Sequence, residues 1–153
     1  MNCLTNRDRE YLRIMYFLHG KDEYVGPVKL ANVMGISKVC AFQKMHRLSA
    51  LGYGSYKTYE GLKLNEKAIA IIENDMRRHH IIESFLQEKL NLSHNQACRE
   101  AELLTESMST FLFQCISKST LEQQSHCCEY STKHELTPEI MQNCPWVKKS
   151  IKI

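Results

Sequence analysis

Residues 27–65 carry a run of punctuation that leaves few folds open. Pro27 opens a helical repeat, because the missing N–H of a proline has no partner in a first turn anyway. Leu30, Ala31, Val33 and Met34 give that repeat an apolar side, and Gly35 stops it. Ile36 reads as a buried turn residue, and the Ser37 hydroxyl can cap the next helix. This helix runs to about Leu51, with Ala41, Met45, Leu48 and Leu51 along one face, and Gly52 ends it. Residues 53–57 and 62–65 then read as short strands, with Glu60-Gly61 supplying the positive φ that a tight turn needs. A helix, a glycine turn, a capped polar helix and a hairpin, in that order, spell a winged helix-turn-helix.

The flanks are helical. Thr5 and Asp8 form a capping pair ahead of Tyr11, Ile14, Met15 and Leu18, which recur at helical spacing until His19-Gly20. From Glu66 to about Leu90 the repeat returns through Ile69, Ile72, Met76, Ile82, Phe85 and Leu86, and after a turn at 91–94 a further single helix is expected over 95–116. Beyond it the pattern weakens. Thr137-Pro138-Glu139 starts one short helix, Cys144-Pro145-Trp146 breaks it, and the last residues read as basic and mobile. The fold class expected is mainly α with a small β-hairpin: a winged helix-turn-helix domain over 1–65, a helical domain over 66–116, and a Cys/His-containing tail over 117–153.

Charge divides the chain the same way. Residues 1–65 hold ten Lys/Arg against five acids, whereas residues 66–125 hold six against nine. A basic first part and an acidic middle suit a DNA-binding segment followed by one that does other work. No apolar run is long enough for a bilayer and the N-terminus lacks a signal-peptide core, so a cytoplasmic protein without a membrane partner is expected. Seven cysteines, an odd number, argue against a disulfide framework and leave thiols free for metal or redox chemistry. No nucleophile–base pair or phosphate-cradling loop is visible, and the chain is not read as an enzyme.

The outer face of the second helix of the motif offers Ser37, Lys38, Val39, Gln43, Lys44 and Arg47, and the hairpin adds Lys57, Tyr59 and Lys63. Gln can pair bidentately with adenine, while Lys and Arg neutralise phosphates or read guanine. These residues are the expected contacts to double-stranded DNA.

The sequence resembles the diphtheria-toxin-repressor and manganese-regulator family of metal-dependent repressors. The resemblance rests on Tyr11-Leu12-Arg13-Ile14, the helix over 37–52, Gly61-Leu62-Lys63-Leu64-Asn65, the stretch from Arg78-His79-His80 to Phe85-Leu86, and the helix from Cys98 through Met108-Ser109. It covers about residues 8–116, and the order and spacing of the motifs make it specific. It implies a winged-helix DNA-binding domain over 1–65, a helical dimerisation and metal-binding domain over 66–116, a homodimer whose divalent metal favours a DNA-competent shape, a palindromic operator, and repression of metal-uptake genes. The chain is similar to the shorter, two-domain members, with an unusual tail.

His79 and Glu83 lie four residues apart and share a helical face. By resemblance, His79, Glu83 and Cys98 would form one metal site, with Cys98 where a histidine is common. Glu10, Glu102 and Glu106 would form another, although Thr105-Glu106 stands where the family has a Glu-His pair. The carboxylates point to Fe²⁺ or Mn²⁺, with Zn²⁺ as an alternative. Read without the resemblance, His79 and Glu83 are an ordinary surface pair and Cys98 a small core residue. In the tail, His126, Cys127, Cys128 and Cys144, with His134 nearby, are candidate metal or redox residues, and an iron–sulfur cluster is a lesser option. Two other functions stay open: a thiol- or iron–sulfur-responsive regulator on the same fold, and a winged helix that binds protein instead of DNA.

Overall fold

Thr5 starts the first helix by the expected reciprocal cap. Its hydroxyl accepts from the Asp8 amide at 3.1 Å, and the Asp8 carboxylate accepts from the Thr5 amide at 3.0 Å. The computed structural model describes residues 3–120 and 136–152. They fall into two units, Met1–Ile72 with Lys149–Ile153, and Glu73–Lys148.

In the first unit, α1 (Asn6–Phe17) is followed by α2 (Pro27–Met34) and α3 (Lys38–Ala50). Pro27 occupies the first turn of α2, and Gly35 closes that helix at φ 63°, a left-handed conformation that costs glycine little. The Ser37 hydroxyl accepts from the Cys40 amide at 3.1 Å and so opens α3. α3 packs on α1, on α2 and on the hairpin of β1 (Gly54–Lys57) and β2 (Gly61–Leu64). The strands are antiparallel with Gly54 opposite Leu64 and Lys57 opposite Gly61. Gly61 sits at φ 112°, where a Cβ would lie 2.0 Å from the Val25 carbonyl oxygen. Only glycine lets Val25 exchange both backbone hydrogen bonds with Leu62, at 3.0 and 3.1 Å. Tyr11, Leu12, Ile14, Met15, Leu30, Met45, Leu48 and Leu62 are buried in this unit. The sequence pattern read the last residues as mobile, but Ser150 and Lys152 are held by hydrogen bonds. The Lys152 amide donates to the Val33 carbonyl at 2.6 Å, and the buried Ser150 hydroxyl donates to Glu10 at 2.6 Å.

The helix α4 (Glu66–Leu90) is continuous as expected and carries most of its length in the second unit, followed by α5 (His94–Ser107) and α6 (Thr110–Ser119). The single helix expected over 95–116 is two helices. Met108 takes an extended conformation, and the Ser109 hydroxyl accepts from the Leu112 amide at 3.2 Å, which restarts the chain as α6. The break frees the Met108 carbonyl to accept from the Arg78 guanidinium at 3.0 Å. Ile82, Leu86, Ala97, Ala101 and Phe113 form the core, with Met108 packed against it. Two short helices complete the unit. Thr137 caps α7 (Pro138–Met141) and α8 (Pro145–Lys148) follows, burying Met141, Cys144, Trp146 and Val147. α8 packs on α5.

One ion pair ties α1 to α3. Asp8 is buried, and the Arg47 side chain forks onto it, Nε at 3.1 and 3.2 Å and Nη2 at 3.1 Å, with Lys44 Nζ at 3.9 Å. Burial alone would raise the Asp8 carboxyl, but Arg47 and the Thr5 bonds outweigh it and hold the group at about 2. A carboxyl lowered on folding stabilises the fold above the unfolded value of about 4 and loses that contribution as pH falls through its folded value. Arg47 is 40% exposed, which screens part of the gain. The Asp8→Asn chain is therefore expected to lose roughly 1–2 kcal/mol of stability at pH 7 and to match the parent near pH 2. Urea unfolding at the two pH values checks this, and equal stability at pH 7 would contradict it.

Candidate metal centre and nucleic-acid face

α4 positions His79 and Glu83 one turn apart on its buried side, α5 supplies Cys98, and Cys144 precedes α8. One ligand atom from each of His79, Cys98 and Cys144 lies within 4.8 Å of the others, and all three residues are buried. Among the described residues this is the one group of three or more His, Cys, Asp or Glu side chains that converge so closely. His79 Nε2 lies 3.4 Å from Cys98 Sγ and 3.8 Å from Glu83 Oε2. The surface-pair reading of His79 and Glu83 is thereby overturned, since neither side chain has any solvent exposure. Trp146 stacks on the imidazole with ring centroids 4.4 Å apart and planes 15° from parallel. His80 stands edge-on to it at 5.2 Å and donates from Nδ1 to the Met76 carbonyl at 2.7 Å.

The electrostatics suit a ligand. Burial pushes the His79 imidazole below the ordinary histidine range, against the opposing pull of Cys144 and Glu83. A neutral ring offers a lone pair, which is what a metal takes. His79 Nδ1 is buried with no hydrogen-bond partner. A ring held by only one of its nitrogens, beside two thiols and a carboxylate, fits a divalent transition metal better than it fits an apolar core.

The three residues of the expected carboxylate site belong to different units. Glu10, in the first unit, accepts from the Arg7 guanidinium and from the Ser150 hydroxyl. Burial raises its carboxyl, but these two partners outweigh burial and hold it below its usual range. Glu102 and Glu106 lie on α5 in the second unit, the latter exposed, and the Thr105 hydroxyl donates to the Ala101 carbonyl at 2.6 Å. Of the tail candidates, His126, Cys127, Cys128 and His134 lie outside the described residues. Cys144, the one tail candidate among the described residues, converges with His79 and Cys98.

On α3, Ser37, Lys38, Val39 and Gln43 face solvent, while Arg47 and Lys44 lean inward to Asp8. Lys44 Nζ also lies 5.8 Å from the Tyr11 ring centroid. On the hairpin, Lys57 pairs with Glu60 at 2.6 Å, Lys63 is half-buried, and Tyr59 stands fully exposed at the tip with φ 68°. The sequence reading missed an aromatic cluster here. His46 lies 4.3 Å from Phe42 and 4.1 Å from Tyr56, centroid to centroid, and Phe42 is 46% exposed. The four-residue spacing of Phe42 and His46 on a helix was the available signal.

Known proteins match both parts of the chain. The family model for the iron dependent repressor N-terminal DNA binding domain matches residues 3–62, and that for the metal binding and dimerisation domain of the same repressors matches residues 65–135. An uncharacterised HTH-type transcriptional regulator of Methanocaldococcus jannaschii is 31% identical over 101 residues, 65% of this chain and 81% of the relative. The structure of the manganese regulator SloR superposes with a TM-score of 0.58 at 25% identity, covering 76% of this chain and 54% of that one. ScaR with bound Cd²⁺ gives 0.70 at 20% identity, covering 82% and 58%, a likeness of fold. The chain thus spans little more than half the length of these solved regulators.

The stacked indole is the largest apolar wall of the metal centre. Trp146→Ala is expected to destabilise the chain by about 3–5 kcal/mol through cavity formation. Denaturant unfolding followed by far-UV dichroism reads this, and a loss below about 1 kcal/mol would show that the stack contributes no packing.

Proposed function

The chain belongs to the iron-dependent repressor family, and on that premise we propose that it is a homodimeric transcriptional repressor whose hold on DNA depends on a divalent metal at His79, Glu83 and Cys98. It is a regulator and not an enzyme, and it acts in the cytoplasm on a palindromic operator. The observation that carries the reading is the buried convergence of imidazole, thiol and carboxylate in the second unit of a chain whose first unit presents a helix-turn-helix. No helix among the described residues is long and apolar enough to cross a membrane.

In this reading Ser37, Lys38, Val39 and Gln43 on α3 meet the major groove, with Gln43 offering the two-point contact that adenine accepts. Lys57, Tyr59 and Lys63 lie along the flanking backbone, and Asp8 holds Arg47 and Lys44 at the edge of the face. When bound, the metal supplies a fixed positive charge that draws His79, Glu83 and Cys98 together, and it favours whichever arrangement of the dimer holds them closest. Coupling of this kind amounts to about 1–3 kcal/mol, or roughly 5–150-fold in DNA affinity. Glu10, Glu102 and Glu106 remain candidates for a further carboxylate site, with Glu10 needing to exchange Ser150 and Arg7 for the ion.

Selection of duplexes from a random-sequence pool, with and without added Fe²⁺, Zn²⁺ or Mn²⁺, tests the proposal. An enriched palindromic site bound at least about fivefold more tightly with metal than with chelator is expected. Enrichment that ignores metal would reject metal control, and no enrichment would reject the DNA reading. On the selected site, Lys38→Ala should weaken all sequences alike and reduce the salt dependence by about one released counterion, whereas Gln43→Ala should cost about 1–3 kcal/mol and relax preference at a single base pair.

A further inference from the structure

Three segments far apart in sequence bring the metal centre together, and the last of them was not expected to take part. Cys144 is fully buried, and it offers its Sγ to the same space as His79 and Cys98. Its position is fixed from both sides. Upstream, the Thr137 hydroxyl caps α7 by accepting from the Ile140 amide at 3.3 Å, and Met141 is buried. Downstream, Trp146 stacks on His79 itself and α8 packs on α5, the helix that carries Cys98. The amides of Val147 and Lys148 donate to the Cys144 carbonyl at 3.1 and 3.0 Å, so its backbone belongs to the α8 turn.

We propose that Cys144 is a ligand of this centre, making it a two-thiolate, one-imidazole site that takes Zn²⁺ or Co²⁺ in preference to Mn²⁺. This rests on the reading that the second unit holds a divalent metal. The chemistry follows from the donors. Thiolate sulfur is a soft ligand that favours zinc-like ions, whereas Mn²⁺ favours carboxylate and water oxygens. Two thiolates and one imidazole are a frequent tetrahedral set, and Glu83, whose Oε2 is 3.8 Å from His79 Nε2, is a buried carboxylate beside the imidazole. His79 Nδ1, buried and without a partner, is the second observation: the ring is oriented by the indole stack and by what Nε2 faces, not by a hydrogen bond at its other nitrogen. Binding releases the thiol protons to solvent, so affinity falls as pH is lowered. The consequence for the fold is that metal pins the segment around Cys144 to α4 and α5.

The test is a Co²⁺ titration of the full chain, stripped with chelator and kept reduced with a phosphine. A sulfur-to-cobalt charge-transfer band in the near ultraviolet and intense tetrahedral visible bands should saturate at one equivalent. Cys144→Ser and Cys98→Ser should each lower the near-ultraviolet band to about half, and the double variant should abolish it. The Cys127→Ser/Cys128→Ser chain should leave it unaltered. One equivalent of Zn²⁺ should bleach the spectrum, and Mn²⁺ in about a hundredfold excess should not. A band unchanged in Cys144→Ser, a band lost with Cys127 and Cys128, or bleaching by Mn²⁺ would overturn the proposal. Should Cys144→Ser fail to fold, alkylation of the parent chain decides: Zn²⁺ should slow labelling of Cys98 and Cys144 at least about tenfold and leave the exposed Cys3 unaffected. Equal labelling of Cys144 with and without Zn²⁺ would overturn it. The two readings fail separately. One-sulfur cobalt binding with metal-dependent DNA affinity removes this inference and keeps the regulator, whereas two-sulfur binding with DNA affinity indifferent to metal does the reverse.

Discussion

The second unit is organised around one costly group, a fully buried imidazole that makes no hydrogen bond through Nδ1. An unpaired polar atom taken out of water costs about 1–3 kcal/mol, and a core that only needed packing would place an aliphatic side chain there. The surroundings of His79 are instead arranged for a ligand: Cys98 and Glu83 lie beside Nε2, Cys144 converges with His79 and Cys98, and Trp146 stacks on the ring. Each of these residues also loses solvation by burial, so the cluster returns most to the fold when a cation neutralises the thiolates and the carboxylate. The packing of α4, α5 and α8 reads as the scaffold for that arrangement.

The first unit shows the contrasting way to bury charge. Asp8 is as deeply covered as His79, yet every demand it makes is met inside the chain, by Arg47 and Lys44 and by the Thr5 cap. That closed network fixes α1 against α3, which leaves the Ser37–Gln43 surface rigidly presented. Glu10 is likewise satisfied, by Ser150 and Arg7. A site already closed by its own partners gives a metal less to gain than one holding an orphaned ring nitrogen. This distinction ranks the thiol centre above the carboxylate trio.

What could be read in the sequence was what local chemistry decides. Pro27, Gly35, Ser37 and Gly61 act within a few residues of themselves, and each stands where its turn or cap requires it. The pairing of His79 with Glu83 was legible because one helical turn relates them, whereas their burial was not. The break at Met108-Ser109 was missed because apolar spacing runs through it, while the deciding bonds are a serine cap and an arginine from α4. The convergence of Cys144 with Cys98 was not legible for a related reason: 46 residues separate them, and only tertiary packing joins the two. The Ser150–Glu10 bond spans 140 residues and has no local signature at all.

In the proposed regulator the metal centre and the DNA face share one free energy. Linkage requires the effect to be reciprocal: whatever factor metal adds to DNA affinity, DNA must add to metal affinity. The direct measurement is therefore a calorimetric titration of the stripped chain with Zn²⁺, alone and with its selected duplex at saturation. Duplex is expected to tighten Zn²⁺ binding by the same factor by which Zn²⁺ tightens duplex binding. Zn²⁺ affinity that is identical in the two titrations would contradict it.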